Sequence, residues 1–155
     1  MYPQTHFLFS WLVGLIFVKL GFFNYKIALF VGLIGLFVDI DHYIKFVFSK
    51  GDFNLKDAFN RMARGVFSGR SFIHHWIGFV IITLIVVFLY LFNKNLFWIL
   101  SLGYYSHIFL DYAHLNVLKI KGKLIIKEFG FVEKVDKFEI LFDIFLVIGV
   151  VLFIL

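Results

Sequence analysis

"SHIFLDYAHL", residues 106–115, sets two imidazoles and a carboxylate into an otherwise apolar run. On an α-helix of 3.6 residues per turn, His107, Asp111 and His114 stand at i, i+4 and i+7 and share one narrow stripe. Such a stripe fits a metal site, a proton relay, or hydrogen-bonded polar groups at the end of a helix. The choice depends on where the helix lies and on which other residues of the same chemistry lie at the same level.

The surroundings of the stripe are unusually apolar. The 155 residues are 62% hydrophobic, with a mean hydropathy of +0.95, against roughly half apolar in a soluble domain. That excess puts the chain in the membrane class. With no cysteine, a disulfide framework and thiolate ligands are both excluded. Any metal must be held by His and carboxylate groups. The first apolar segment begins near Phe7, with no Lys or Arg ahead of it and no small-residue cleavage site after it, and reads as a retained helix.

A membrane-crossing helix needs about 20 mostly apolar residues. Five stretches qualify as candidates, roughly 6–23, 27–48, 73–92, 96–115 and 138–155. The turns "NYK" (24–26) and "NKN" (93–95) are short and force antiparallel hairpins, whereas the connections near 48–72 and 116–137 are long. With no strong internal repeat or low-complexity linker, residues 1–155 are expected to form a single all-α membrane domain. The long connections and Lys45 carry Lys50, Lys56, Arg61, Arg64, Arg70, Lys119, Lys121, Lys123, Lys127, Lys134 and Lys137; only Lys19, Lys26 and Lys94 lie toward the other side. The positive-inside rule then places the N-terminus and both long loops in the cytoplasm and the C-terminus outside the cell membrane.

On this map every histidine falls at the cytoplasmic end of a helix: His6, His42, His74, His75, His107 and His114. Asp39, Asp41 and Asp111 lie at the same level. Ionisable groups at membrane depth are expensive and tend to face a cavity or one another. Imidazole and carboxylate are ordinary ligands for Zn²⁺ and similar divalent ions.

In "VDIDHYIKF" (38–46), Asp39 and His42 share a helix face and Asp41 points elsewhere if the helix stays regular. In "GRSFIHHWIG" (69–78), adjacent histidines project about 100° apart, so one of His74 and His75 faces the site, and Arg70 has the fork geometry to clamp a phosphate. Glu139 and Asp143 share a face at the start of the last stretch and could add an oxygen ligand or pair with Lys134 or Lys137. Residues 53–67, "FNLKDAFNRMARGVF", have the spacing of an amphipathic helix on the membrane surface. The segment 117–131, "VLKIKGKLIIKEFGF", alternates as a short β-hairpin around Gly122 would.

Taken in order, "TH" (5–6), "DIDH" (39–42), "GRSFIHH" (69–75) and "GYYSHIFLDYAH" (103–114) resemble the motifs of the YdjM-like membrane-bound metal-dependent hydrolases. That family is itself thought similar to zinc-dependent phospholipases C and P1-type nucleases. The resemblance implies His6, Asp39, Asp41, His42, His74, His107 and Asp111 as site residues, with Arg70 beside them. One departure stands out: Gly69 occupies the place where the family's motif begins with His, a loss that His75 could make good.

The expectation is therefore a membrane-bound hydrolase of lipid-headgroup phosphoesters at the cytoplasmic face. It would use one or two divalent ions, Zn foremost with Mn or Mg as alternatives, with Asp41 as bridging ligand or general base. Membrane lipids are the expected partners, and nucleic acid is not. Two other readings are a metal-ion or proton transporter and a membrane protein with a purely structural metal. Against transport, the polar residues form one layer and do not continue across the bilayer.

Overall fold

The structure, a computed structural model, describes residues 3–51, 53–58, 72–116, 123–128 and 131–155, with the side chains of residues 50 and 114–137 outside that description. The described residues include the helices α1 (Pro3–Lys19), α2 (Tyr25–Phe37), α3 (Ile40–Lys50), α4 (Trp76–Tyr90), α5 (Lys94–Asn116) and α6 (Lys137–Ile154). Two strands, β1 (Lys123–Glu128) and β2 (Phe131–Asp136), pair antiparallel between α5 and α6. The short turns behave as their asparagines dictate. Asn24 Oδ1 accepts from Ile27 N at 3.0 Å to open α2, and Asn93 Oδ1 accepts from Leu96 N at 3.0 Å to open α5.

The packing is inside-out relative to a soluble protein. Phe30, Leu84, Phe145 and Leu152 are more than half exposed, while Thr5, His6, Ser10, Ser101, Ser106, His107 and Glu139 are buried. With hydrocarbon outside, helices gain from close backbone approach and shared polar contacts, not from hiding apolar surface. α1 packs on α2, α5 and α6, α2 packs on α5, and α4 packs on α5. A Cβ on Gly103 of α5 would lie 2.6 Å from Ile34 Cβ of α2, and one on Gly35 of α2 would overlap Ser10 of α1. Glycine at these two crossings lets three helices meet at the level of the polar layer. There Ser10 Oγ and Ser106 Oγ lie 2.6 Å apart.

The structure corrects three expectations. The stretch 27–48 is not one regular helix: Val38 and Asp39 form a turn, and Asp39 sits at the N-cap of α3 without capping it. Among the described residues, Tyr25–Ser49 taken through that turn (25 residues, mean hydropathy 1.8) is long and apolar enough to cross a membrane, with Trp76–Tyr90 as a shorter apolar helix. The other stretches are helical, but polar groups shorten their apolar runs; α1 closes at Lys19, and α6 opens with Lys137, Glu139 and Asp143. The hairpin is not centred on Gly122, which lies outside the described residues. The strands turn after Glu128, with Glu128 opposite Phe131 and Lys123 opposite Asp136. Of the surface helix expected over 53–67, residues 55–58 are helical and 59–67 lie outside the described residues. Asn54 Oδ1 caps that turn, accepting from Lys56 N at 3.0 Å.

Candidate metal centre

The turn at Val38–Asp39 builds the centre. α2 stops at Phe37, and the last four carbonyls of a helix lack intrahelical donors. Gly35 O, one of these four, accepts from His107 Nδ1 at 2.7 Å. A carbonyl can only accept, so Nδ1 carries a proton and Nε2 is the nitrogen turned inward. The ring is fully buried, and His6 stacks on it with centroids 3.7 Å apart and planes 20° apart.

His74 arrives from a turn ahead of α4 that is pinned on both sides of one residue. Ile73 N donates to Asp41 Oδ2 at 3.3 Å, and Ile73 O accepts from Tyr104 Oη at 3.0 Å. His75 N donates to Phe72 O at 3.1 Å and closes the turn. His74 then shows Nδ1 to Asp41 Oδ2 at 3.6 Å and Nε2 to His107 Nε2 at 3.0 Å. A carboxylate behind one ring nitrogen and a metal-facing lone pair at the other is a common arrangement for ligating histidines.

Two carboxylates complete the group. Asp39 Oδ1 lies 3.5 Å from both His74 Nε2 and His107 Nε2. Asp111 Oδ2 lies 3.3 Å from His74 Nε2 and 3.6 Å from His107 Nε2. With the 3.0 Å between the two nitrogens, five of the six edges of a tetrahedron are measured, all between 3.0 and 3.6 Å. A regular tetrahedron with ~2.0–2.1 Å from centre to vertex, the length of Zn–N and Zn–O bonds, has edges of ~3.3–3.4 Å. The donor set therefore fits a divalent ion. Two ring nitrogens and two carboxylate oxygens converging this closely also require a cation or protons between them.

The group extends to either side. Asp111 Oδ1 lies 3.2 Å from His6 Nε2. Both ring nitrogens of His6 are buried, and neither makes a hydrogen bond with any described residue. On the other flank His42 Nε2 is 3.8 Å from Asp39 Oδ1, and its ring centroid is 5.1 Å from that of His74. Three overlapping triplets result: His6, His107 and Asp111; Asp39, His74 and His107; and Asp41, His42 and His74. In each, one ligand atom per residue lies within 4.8 Å of the others.

Of the site residues expected from sequence, the structure brings together His6, Asp39, Asp41, His42, His74, His107 and Asp111. His75 is exposed at the N-cap of α4 with its ring against Trp76, so it does not make good the missing histidine at Gly69. Arg70 and the His114 side chain lie outside the described residues. Glu139 is buried but accepts from Thr5 Oγ1 at 2.9 Å, fastening α6 to the residue before His6. Sequence reasoning missed Gly35, Ser10, Ser106 and Tyr104. The small residues Ser10, Gly14, Gly32, Gly35 and Gly103 were the available signal, because such residues mark close helix crossings in membranes.

Apolar helices turned outward around buried polar groups, with a His/Asp centre near one end of the bundle, define a helical membrane protein built around a candidate metal site. The chain belongs to the YdjM inner membrane protein family, whose pattern matches residues 1–116. That match covers α1 to α5 and every residue of the centre, and leaves out the hairpin and α6. No curated protein and no solved structure matches the chain.

Proposed function

We propose that the chain is a membrane-embedded, metal-dependent hydrolase of phosphoesters on lipid headgroups. In this reading α1, α2–α3, α4, α5 and α6 make five spans, with the N-terminus and long loops cytoplasmic. The basic residues, twelve on one side against three on the other, support that orientation. The single observation that carries the proposal is the convergence of Asp39 Oδ1, His74 Nε2, His107 Nε2 and Asp111 Oδ2, with five separations of 3.0–3.6 Å among them.

These four groups would hold the ion. A divalent ion there supplies Lewis acidity, polarising a phosphoryl oxygen and making water a nucleophile at neutral pH. The chain's other residues divide the remaining work. Gly35 O holds His107 in one tautomer, and Asp41, tied to Ile73 N, positions His74. Asp41 would also take the proton-accepting part, and His6, its Nε2 3.2 Å from Asp111 Oδ1, would orient that carboxylate. Arg70 and the basic 48–72 connection would hold the anionic headgroup. The triplets at His6 and at His42 leave room for a second ion.

The test is metal analysis of purified protein, followed by a phosphate-release screen over phospholipids in vesicles. Release should vanish on chelation and return with Zn²⁺ or Mn²⁺. Metal-replete protein that releases nothing from any phospholipid or soluble phosphoester, while its vesicles pass metal ions or protons, would replace the hydrolase with a transporter.

A further inference from the structure

α4 packs on α5 but stands off α2, and the space between them is an open-sided cavity of about 230 Å³. Its wall includes Ile34, Val38, Ile73, Val86, Leu100 and Tyr104, almost wholly apolar. The cavity begins beside the centre. Val38 precedes Asp39 and Ile73 precedes His74, while Val86 and Leu100 lie toward the opposite end of the bundle. Ile73 belongs to both, its N–H on Asp41 Oδ2 and its carbonyl on the Tyr104 hydroxyl.

We propose that this groove seats one hydrocarbon chain of a phosphorylated lipid whose headgroup lies at the Asp39, His74, His107 and Asp111 centre. The inference rests on the hydrolase reading and names its substrate class. Continuity favours this occupant: an apolar channel leads away from a cation-demanding cluster, so a molecule filling both has an anionic head and an apolar tail. Size agrees. The groove's volume is many times the roughly 10–15 Å³ that a single water needs, enough for a length of hydrocarbon chain. The remainder of the chain, and any second chain, would leave through the open side into the bilayer. Ligand sites are commonly largely apolar with a few convergent polar groups, and here the two parts are separated along one axis.

The test uses phosphatidic acid with a mid-chain diazirine, in vesicles of phosphatidylethanolamine and phosphatidylglycerol containing the full chain. Photolabel should fall on peptides holding Val86 and Leu100 at least fivefold above those holding Ile148 and Leu152, which face outward on α6. Val86→Trp should cut the groove label at least tenfold while leaving bound metal unchanged. Leu100→Trp serves if that variant does not fold, and the wild-type label map needs neither. Even labelling of groove and outer faces would overturn the inference and leave the metal centre intact. Phosphate release that ignores Val86→Trp at every chain length would likewise remove the groove from substrate binding. Groove labelling without release from either long-chain or dihexanoyl phosphatidic acid by metal-replete protein would instead sink the hydrolase reading, leaving a lipid-binding groove.

Discussion

Gly35→Ala tests whether the centre depends on the crossing of α1 and α2. The added methyl would overlap Ser10 Oγ, lie 2.6 Å from Ser10 Cβ and lie 3.1 Å from His6 O. Carbon–carbon contact is favourable at about 3.5–4.0 Å, so α1 must retreat by roughly 1 Å. Overpacking of this kind costs about 1–3 kcal/mol, a fall in Tm on the order of 3–10 °C for a chain this long. Ser10→Gly alone should cost about 2 kcal/mol, from a helix-interior glycine and the lost Ser106 contact. Independent effects would sum to about 3–5 kcal/mol. Because Ser10→Gly removes the two nearest clashing atoms, the double variant should instead stay near about 2 kcal/mol. Unfolding of all four proteins in one detergent measures the coupling. The four proposed vertices lie off α1, so bound metal should persist in Gly35→Ala while His6 moves away from Asp111. A Gly35→Ala protein as stable as wild type, or energies that simply add, would refute the close crossing and the positioning of His6 by it.

Removing a vertex should act differently. His107→Ala or Asp111→Ala should each lower bound divalent metal and Tm together, because ligation contributes to folding; Lys94→Ala, at the opposite end of α5, should change neither, as metal analysis and thermal unfolding would show. Asp41→Asn keeps shape but weakens the carboxylate behind His74 Nδ1, and its metal affinity should fall roughly 10–100-fold, less than for His107→Ala. Titration with a chelator-buffered ion series would separate the two. Single cysteines at Asp57 and Asn95 should label from opposite faces of sealed vesicles, with Asp57 cytoplasmic, and labelling from one face would overturn the five-span arrangement.

The helical stretches and the residues that converge were legible because each rests on local chemistry. Apolar runs marked the helices, Asn24 and Asn93 marked their starts, and His and Asp are rare enough in such runs to stand out. The geometry was not legible, because it hangs on a two-residue departure from helix. A regular helix through 27–48 sets Asp39 and Asp41 on different faces. The turn at Val38–Asp39 lets Asp39 meet His74 Nε2 while Asp41 reaches Nδ1 of the same ring. Nothing in "FVDI" (37–40) announces that turn: it has neither Gly nor Pro. Asp39 at an N-cap without its capping bond is the trace left in the structure, its side chain spent on imidazoles. The choice between His74 and His75 was likewise settled by tertiary contacts, through the grip of Tyr104 and Asp41 on Ile73.

The short reach of α2 has a consequence for the membrane itself. Its 13 residues rise only about 20 Å, and the same number of steps separates Lys19 from His6 on α1 and Lys94 from His107 on α5. A bilayer's hydrocarbon core is about 30 Å thick. With the far ends of these helices at one boundary, the cluster would sit about 10 Å inside the other. A phosphate could reach it only if the lipid sinks or the leaflet dips. α1 and α4, of 17 and 15 residues, favour the dip, since a bilayer thins around spans that are too brief for it at modest cost per ångström. The bundle would then act as a dimple in that leaflet, and membrane thickness would set how readily headgroups meet the cluster.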